Sequence, residues 1–108
     1  MRDEIPKSDW KHFKIIRELA LQRFCERALN ELTEIAADES ASQHGRYVEV
    51  YRKIQTCDEK IAAAFDNLSR SRMMVQLATI QSLDLIEDAE LESFTQETRD
   101  KLKLFASI

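Results

Sequence analysis

The sequence is poor in the residues that make tight turns. It contains one glycine and one proline in 108 residues, whereas average usage is roughly 7% and 5%. Turns draw heavily on these two residues. Their near absence argues against sheets and barrels, which need many turns, and predicts a few long helices.

Long hydrophobic runs are missing as well. No stretch approaches 18 uncharged apolar residues, which excludes a membrane-spanning helix from the sequence pattern. Residues 1–12 are charged and lack the apolar segment of a secretory signal. We therefore expect a cytoplasmic protein of bacterial size, with Cys25 and Cys57 reduced.

Recognisable catalytic and metal-binding motifs are also missing from the sequence. The sequence has two histidines and neither a glycine-rich phosphate loop nor a nucleophile elbow. His12 follows Asp9 by three residues, but the Glu-x-x-His pattern of di-iron bundles requires two such pairs. The acidic residues between 84 and 92 lack the glycine of a calcium loop. We predict a protein that is not an enzyme and has no catalytic residue, cofactor or metal site.

The apolar residues that are present follow helical spacing. One row alternates spacings of three and four over three heptads: Tyr47, Val50, Ile54, Cys57, Ile61, Ala64 and Leu68. A second row lies upstream: Leu21, Cys25, Ala28, Leu32 and Ile35. With a turn near residue 41, residues whose numbers sum to about 82 face each other, and every such pair is apolar. The two rows therefore predict a buried seam between antiparallel helices.

These rows predict an all-α fold with a single domain over residues 1–108. We expect helices at about 9–38, 46–82 and 88–105, with Ser8 capping the first one. The loop between the first two helices runs from Asp38 to Gly45, where the glycine can adopt a positive φ. Ser69 to Arg72 contains no glycine or proline, so we expect the second helix to continue through it. The result is a long helical hairpin with a short third helix.

The predicted hairpin has more apolar surface than one chain can cover. The segment from Met73 to Ile80 is apolar almost all round, and the third helix is too short to bury it. We therefore expect a homodimer that completes a helical bundle. The candidate interface residues are Tyr51, Phe65, Met73, Met74, Leu77 and Ile80.

Two functions remain open from the sequence. The first is a helical interaction or regulatory protein that acts through self-association and binding of another protein. The alternative is a nucleic-acid-associated accessory protein, although the net charge of −4 gives no general attraction for nucleic acid. Its candidate phosphate contacts form one basic edge: Lys7, Lys11, Lys14, Arg17, Arg70 and Arg72. Cys25 and Cys57 face each other in the predicted register, either as buried structural thiols or as a redox pair.

Overall fold

A computed structural model describes residues 5–106, and this part of the chain is helical without any strand. The predicted all-α class is confirmed. The helices are α1 (Lys7–Ala37), α2 (Gln43–Phe65), a 3-10 helix (Arg70–Arg72), α3 (Met73–Ser82), α4 (Asp88–Glu92) and α5 (Gln96–Ala106). The predicted single domain also includes residues 1–4 and 107–108, which lie outside the described residues.

The long antiparallel hairpin is confirmed by contacts along its whole length. At the turn, Arg46 Nη1 donates to the carbonyl oxygen of Ala36 at 2.8 Å. Glu31 and Lys53 form an ion pair farther along, and Arg17 donates to the Phe65 carbonyl oxygen near the other end. The residue numbers of these pairs sum to 82, 84 and 82. The helices therefore pair close to the register that the two apolar rows predict.

The hairpin turn is shorter than predicted. α2 begins at Gln43, and the Oγ of its N-cap residue Ser42 accepts a hydrogen bond from the Gly45 N–H at 2.9 Å. Gly45 therefore lies inside the first turn of the helix, and its φ is not positive. The prediction of a loop that extends to Gly45 was wrong. It took the glycine as a turn residue, whereas Ser42 caps the helix three residues earlier. At the other end, α1 includes Ser8, so this residue is not its N-cap.

The predicted continuation of the second helix to residue 82 was also wrong. α2 ends at Phe65, and Asn67 has a φ of 57°, a left-handed conformation that Asn tolerates and that stops a helix. The freed carbonyl oxygens are satisfied by side chains. Arg17 donates to Phe65, and Gln76 Nε2 donates to Asp66 at 2.6 Å. The break allows α3 to turn away from α2 and pack as a separate helix.

The buried core occupies one end of the molecule. It combines the first half of α1 and the end of α2 with α3, α4 and α5, and we call this end the head. The hydrophobic core of the head consists of Phe13, Ile16, Ala20, Phe24, Ala64, Phe65, Met73, Met74, Leu77, Ile80, Leu85, Phe94 and Leu102. No residue from 25 to 63 is buried. These residues form the arm, a two-helix projection that makes the described part 59 Å long and 24 Å wide.

Candidate association surface

The structure places most of the predicted dimer-interface residues inside the chain's own core. Met73, Leu77 and Ile80 of α3 are fully buried, and Met74 is 8% exposed. Phe65 is buried as well. The break after α2 brings α3 against α1, α2 and α5, so these five side chains already have intramolecular partners. Of the six predicted residues, only Tyr51 has a large exposed surface, at 57%.

The predicted phosphate contacts divide into two groups. Lys7, Lys11, Lys14 and Arg72 are exposed, with Lys14 Nζ 5.3 Å from the centre of the Trp10 ring. Arg17 and Arg70 instead donate to backbone carbonyl oxygens, Arg17 to Phe65 and Arg70 to Ile5. The second contact does bring the 3-10 helix to the start of α1, as the alternative function requires. Two of the six guanidinium and ammonium groups nevertheless have structural roles, and phosphate contact stays a prediction.

A buried carboxylate joins the two ends of the described chain. Asp9 in the first turn of α1 is 1% exposed. Its Oδ1 accepts from the Thr95 N–H at 3.0 Å, and its Oδ2 accepts from the hydroxyls of Thr95 and Thr98 at 2.6 and 2.5 Å. Burial raises the pKa of Asp9, but the hydrogen bonds from Thr95 and Thr98 outweigh it and leave the pKa below the ordinary value. The carboxylate thus anchors the beginning of α5 on α1.

Arg23 of α1 holds α4 against α1 in a similar way. Its two terminal nitrogens donate to Oε1 and Oε2 of Glu90 at 2.7 and 2.8 Å, and Nη1 also donates to the Leu85 carbonyl oxygen at 2.9 Å. These bonds hold the pKa of Glu90 below its usual range. Arg27, one turn later, donates to the carbonyl oxygens of Leu83 and Asp84. Paired arginines therefore fix the connection between α3 and α4 to α1.

His12 belongs to this structural network as well. Its Nε2 lies 2.8 Å from the Glu90 carbonyl oxygen, to which it donates. Its ring meets that of Phe94 edge-on, with centroids 4.5 Å apart. Among residues 5–106, no three His, Cys, Asp or Glu side chains are grouped to hold a metal ion. The polar contacts of His12, Asp9 and Arg23 therefore hold the helices of the head together.

Large apolar side chains project from the arm, which buries no residue of its own. Tyr47 is 73% exposed, Tyr51 57% and Ile54 41%, and Leu29 on the facing helix is 62% exposed. Tyr47, Tyr51 and Ile54 are spaced by four and three residues, so they share one face of α2. We call these four residues the apolar flank. The sequence predicted a buried row through Tyr47 and Ile54, but among residues 5–106 the arm helices pack against each other and leave both side chains exposed.

The ion pair shows which side of the arm the apolar flank occupies. Glu31 and Lys53 close one edge of the hairpin. Tyr51 precedes Lys53 by two residues, and Leu29 precedes Glu31 by two. Side chains two positions apart on a helix point in directions that differ by about 200°. Tyr51 and Leu29 therefore both lie away from the edge that carries the ion pair. The arm therefore has one charged edge and one apolar edge.

Charge is absent along most of the apolar edge. On α1, Glu26 is the one charged residue among the positions one turn and two turns from Leu29. The others are uncharged: Gln22, Cys25, Leu32, Thr33 and Ala36. On α2, the row that contains Tyr51 and Ile54 meets its first charged residue at Asp58, close to the head. On the head, the exposed pair Ile15 and Leu19 is by contrast bordered by Lys11, Lys14 and Glu18. Leu104 and Phe105 are exposed on the head as well, beside Arg70 and Lys101. The apolar flank is therefore the better candidate for an association surface.

No protein family, curated protein or solved structure matches this chain. No helix formed by residues 5–106 is both long and apolar enough to span a membrane.

Proposed function

We propose that this protein is a non-enzymatic helical interaction or regulatory protein that acts through self-association and partner binding. The apolar flank of the arm is the surface that makes these contacts. The supporting observation is that four large apolar side chains are 41% to 73% exposed on a two-helix projection. Soluble proteins rarely leave contiguous apolar surface uncovered, and such surface typically marks a protein interface.

The division of the molecule supports this interpretation. The head buries the hydrophobic core and ties α4 and α5 to α1 through Arg23 and Asp9. The arm contributes no buried residue between 25 and 63, so it adds little to the stability of a single chain. An isolated helical pair of this kind is marginal in water. A projection that costs folding free energy without burying a core is best explained by a contact outside the chain.

Site-specific photo-cross-linking in cells tests the proposal. A benzophenone amino acid placed at Tyr51 should form protein adducts, because this side chain lies in the proposed contact. The same probe at Thr56 serves as the matched control, since Thr56 is exposed on the opposite side of α2. Adducts at position 51, whether to the same chain or to another protein, support the proposal when position 56 gives none. Equal yields at both positions, or no adduct at position 51, would reject it.

A further inference from the structure

The apolar flank combines three properties that identify its occupant. It is uncharged along most of its length, it is built from two antiparallel helices, and it lacks a third helix from the described chain. We infer that a second copy of this chain covers it, so that the two arms form a four-helix bundle. This inference rests on the proposed function, whose contact surface it uses, and it specifies the partner.

Charge complementarity favours a second copy over a charged partner. An acidic or basic protein surface would find no opposite charge on Leu29, Tyr47, Tyr51 or Ile54. It would also lose hydration on being covered, which costs free energy. A largely uncharged apolar edge is complementary to itself, as the isologous interface of a two-fold dimer requires. The charged edge of the arm, with Glu31 and Lys53, would remain facing solvent in such a dimer.

The exposed apolar area of the flank matches the apolar area of a typical dimer interface. If a large side chain offers about 200 Å² when fully exposed, the exposed fractions of the four flank residues amount to roughly 450 Å² of mainly apolar area per copy. A standard interface buries about 800 Å² per partner, of which roughly 60% is apolar. The apolar flank therefore supplies about the apolar area that a specific dimer needs, without any contribution from the head.

Four-helix packing would also explain why the apolar stripe of α2 is wider than a contact with α1 alone requires. In a bundle, each helix buries residues against two neighbours, so its apolar stripe is wider than a single seam. Val50 and Cys57 lie toward α1 and are half-buried, whereas Tyr47 and Tyr51 widen the stripe to one side and stay exposed. A second hairpin against this side gives the tyrosines the neighbour that the described chain lacks.

Light scattering coupled to size exclusion measures the result directly. The purified protein should have twice the chain mass of 12.6 kDa. Tyr51→Glu should reduce the mass to that of one chain, because each copy then brings a carboxylate into the apolar contact. Thr56→Glu adds the same charge to the opposite side of α2 and should leave the dimer intact. Leu29→Glu, on the other arm helix, should act like Tyr51→Glu.

The outcomes separate this inference from the proposed function. A wild-type chain that remains monomeric at high concentration would overturn the second copy, as would a dimer that persists in both Tyr51→Glu and Leu29→Glu. In either case, cross-links from position 51 to a different protein would leave the proposed function standing. Circular dichroism of each variant identifies loss of helix, and if both flank variants unfold, self-adducts from the benzophenone at position 51 decide. Their absence then overturns the inference.

Discussion

Replacing Asp9 with asparagine should destabilise the head more than its chemical similarity suggests. The carboxylate is 1% exposed and accepts three hydrogen bonds, from the Thr95 N–H and from the hydroxyls of Thr95 and Thr98. Asparagine has nearly the same shape but only one acceptor oxygen. Its amide nitrogen would have to face donors at one of the two carboxylate positions. Asp9→Asn therefore tests whether this contact holds α5 on α1.

The structure sets the size of the effect. A hydrogen bond to a charged group contributes about 1.5–3 kcal/mol, and a neutral one about 1 kcal/mol. Asp9→Asn loses at least one of the three bonds and makes the others neutral, so the free energy of unfolding should fall by about 3 kcal/mol. For a chain of 108 residues, this corresponds to a decrease of roughly 10–20 °C in the thermal midpoint.

The effect should depend on pH in a defined direction. The pKa of Asp9 in the folded protein lies below its ordinary value of 3.8. The unfolded chain therefore binds this proton first as the pH falls. The stabilisation is fully present above about pH 4 and is lost as the pH drops through the folded pKa. The difference in stability between wild type and Asp9→Asn should shrink over this range. Glu90 titrates in both proteins, so its contribution cancels.

Urea denaturation followed by circular dichroism measures the free energy of unfolding and, when repeated at several pH values, its dependence on pH. The comparison includes Glu59→Gln, which removes a carboxylate charge from an exposed position on α2 away from the apolar flank and should change stability by less than about 0.5 kcal/mol. If Asp9→Asn behaves like this control at neutral pH, the carboxylate does not anchor α5. If the loss is large but does not shrink at acidic pH, the charge on Asp9 is not its cause.

Three further changes test other parts of the fold. Arg23→Lys should lower the free energy of unfolding by about 1.5 kcal/mol, because lysine cannot make the bidentate contact to Glu90 of α4. A variant as stable as wild type in urea denaturation would show that this contact does not hold α4 on α1. Asn67→Val should cost about 1–2 kcal/mol at its positive φ whereas Asn67→Gly should not, and equal thermal midpoints would show that the helix does not break there. A short bis-maleimide should join Cys25 to Cys57 within one chain, as mass spectrometry can show, and its failure would argue against the hairpin register.

The hairpin could be predicted because its information is local and repeated. The row through Val50 and Cys57 and the row through Ala28 and Leu32 were each regular, and they matched when folded at one turn. Such patterns identify faces that can pack together. They do not state how many neighbours each face finds, so the exposure of Tyr47 could not be anticipated, whereas Tyr51 was already a candidate interface residue. That depends on where the third and later helices pack.

The position of those later helices depends on two left-handed residues, Asn67 before α3 and Asp84 before α4. Asp66 and Asn67 were a usable turn signal, since both residue types favour turns, but the absence of glycine and proline argued for a continuous helix. Once α2 ends there, α3 becomes the centre of the head rather than a dimer interface. The contact between Asp9 and Thr98 spans 89 positions in sequence. No local pattern announces it, since Asp9 alone looks like an ordinary first-turn carboxylate.

The proposed second copy of the chain covers the arm, and this claim predicts that the stability of the arm helices depends on protein concentration. Hydrogen exchange, measured by mass spectrometry at low and high protein concentration, tests it most directly. Association stabilises the arm helices, so amides between residues 43 and 58 should exchange more slowly at high concentration, while peptides from α3 should exchange at the same rate in both. Exchange in the arm that does not change with concentration, in a protein of single-chain mass, would contradict the claim.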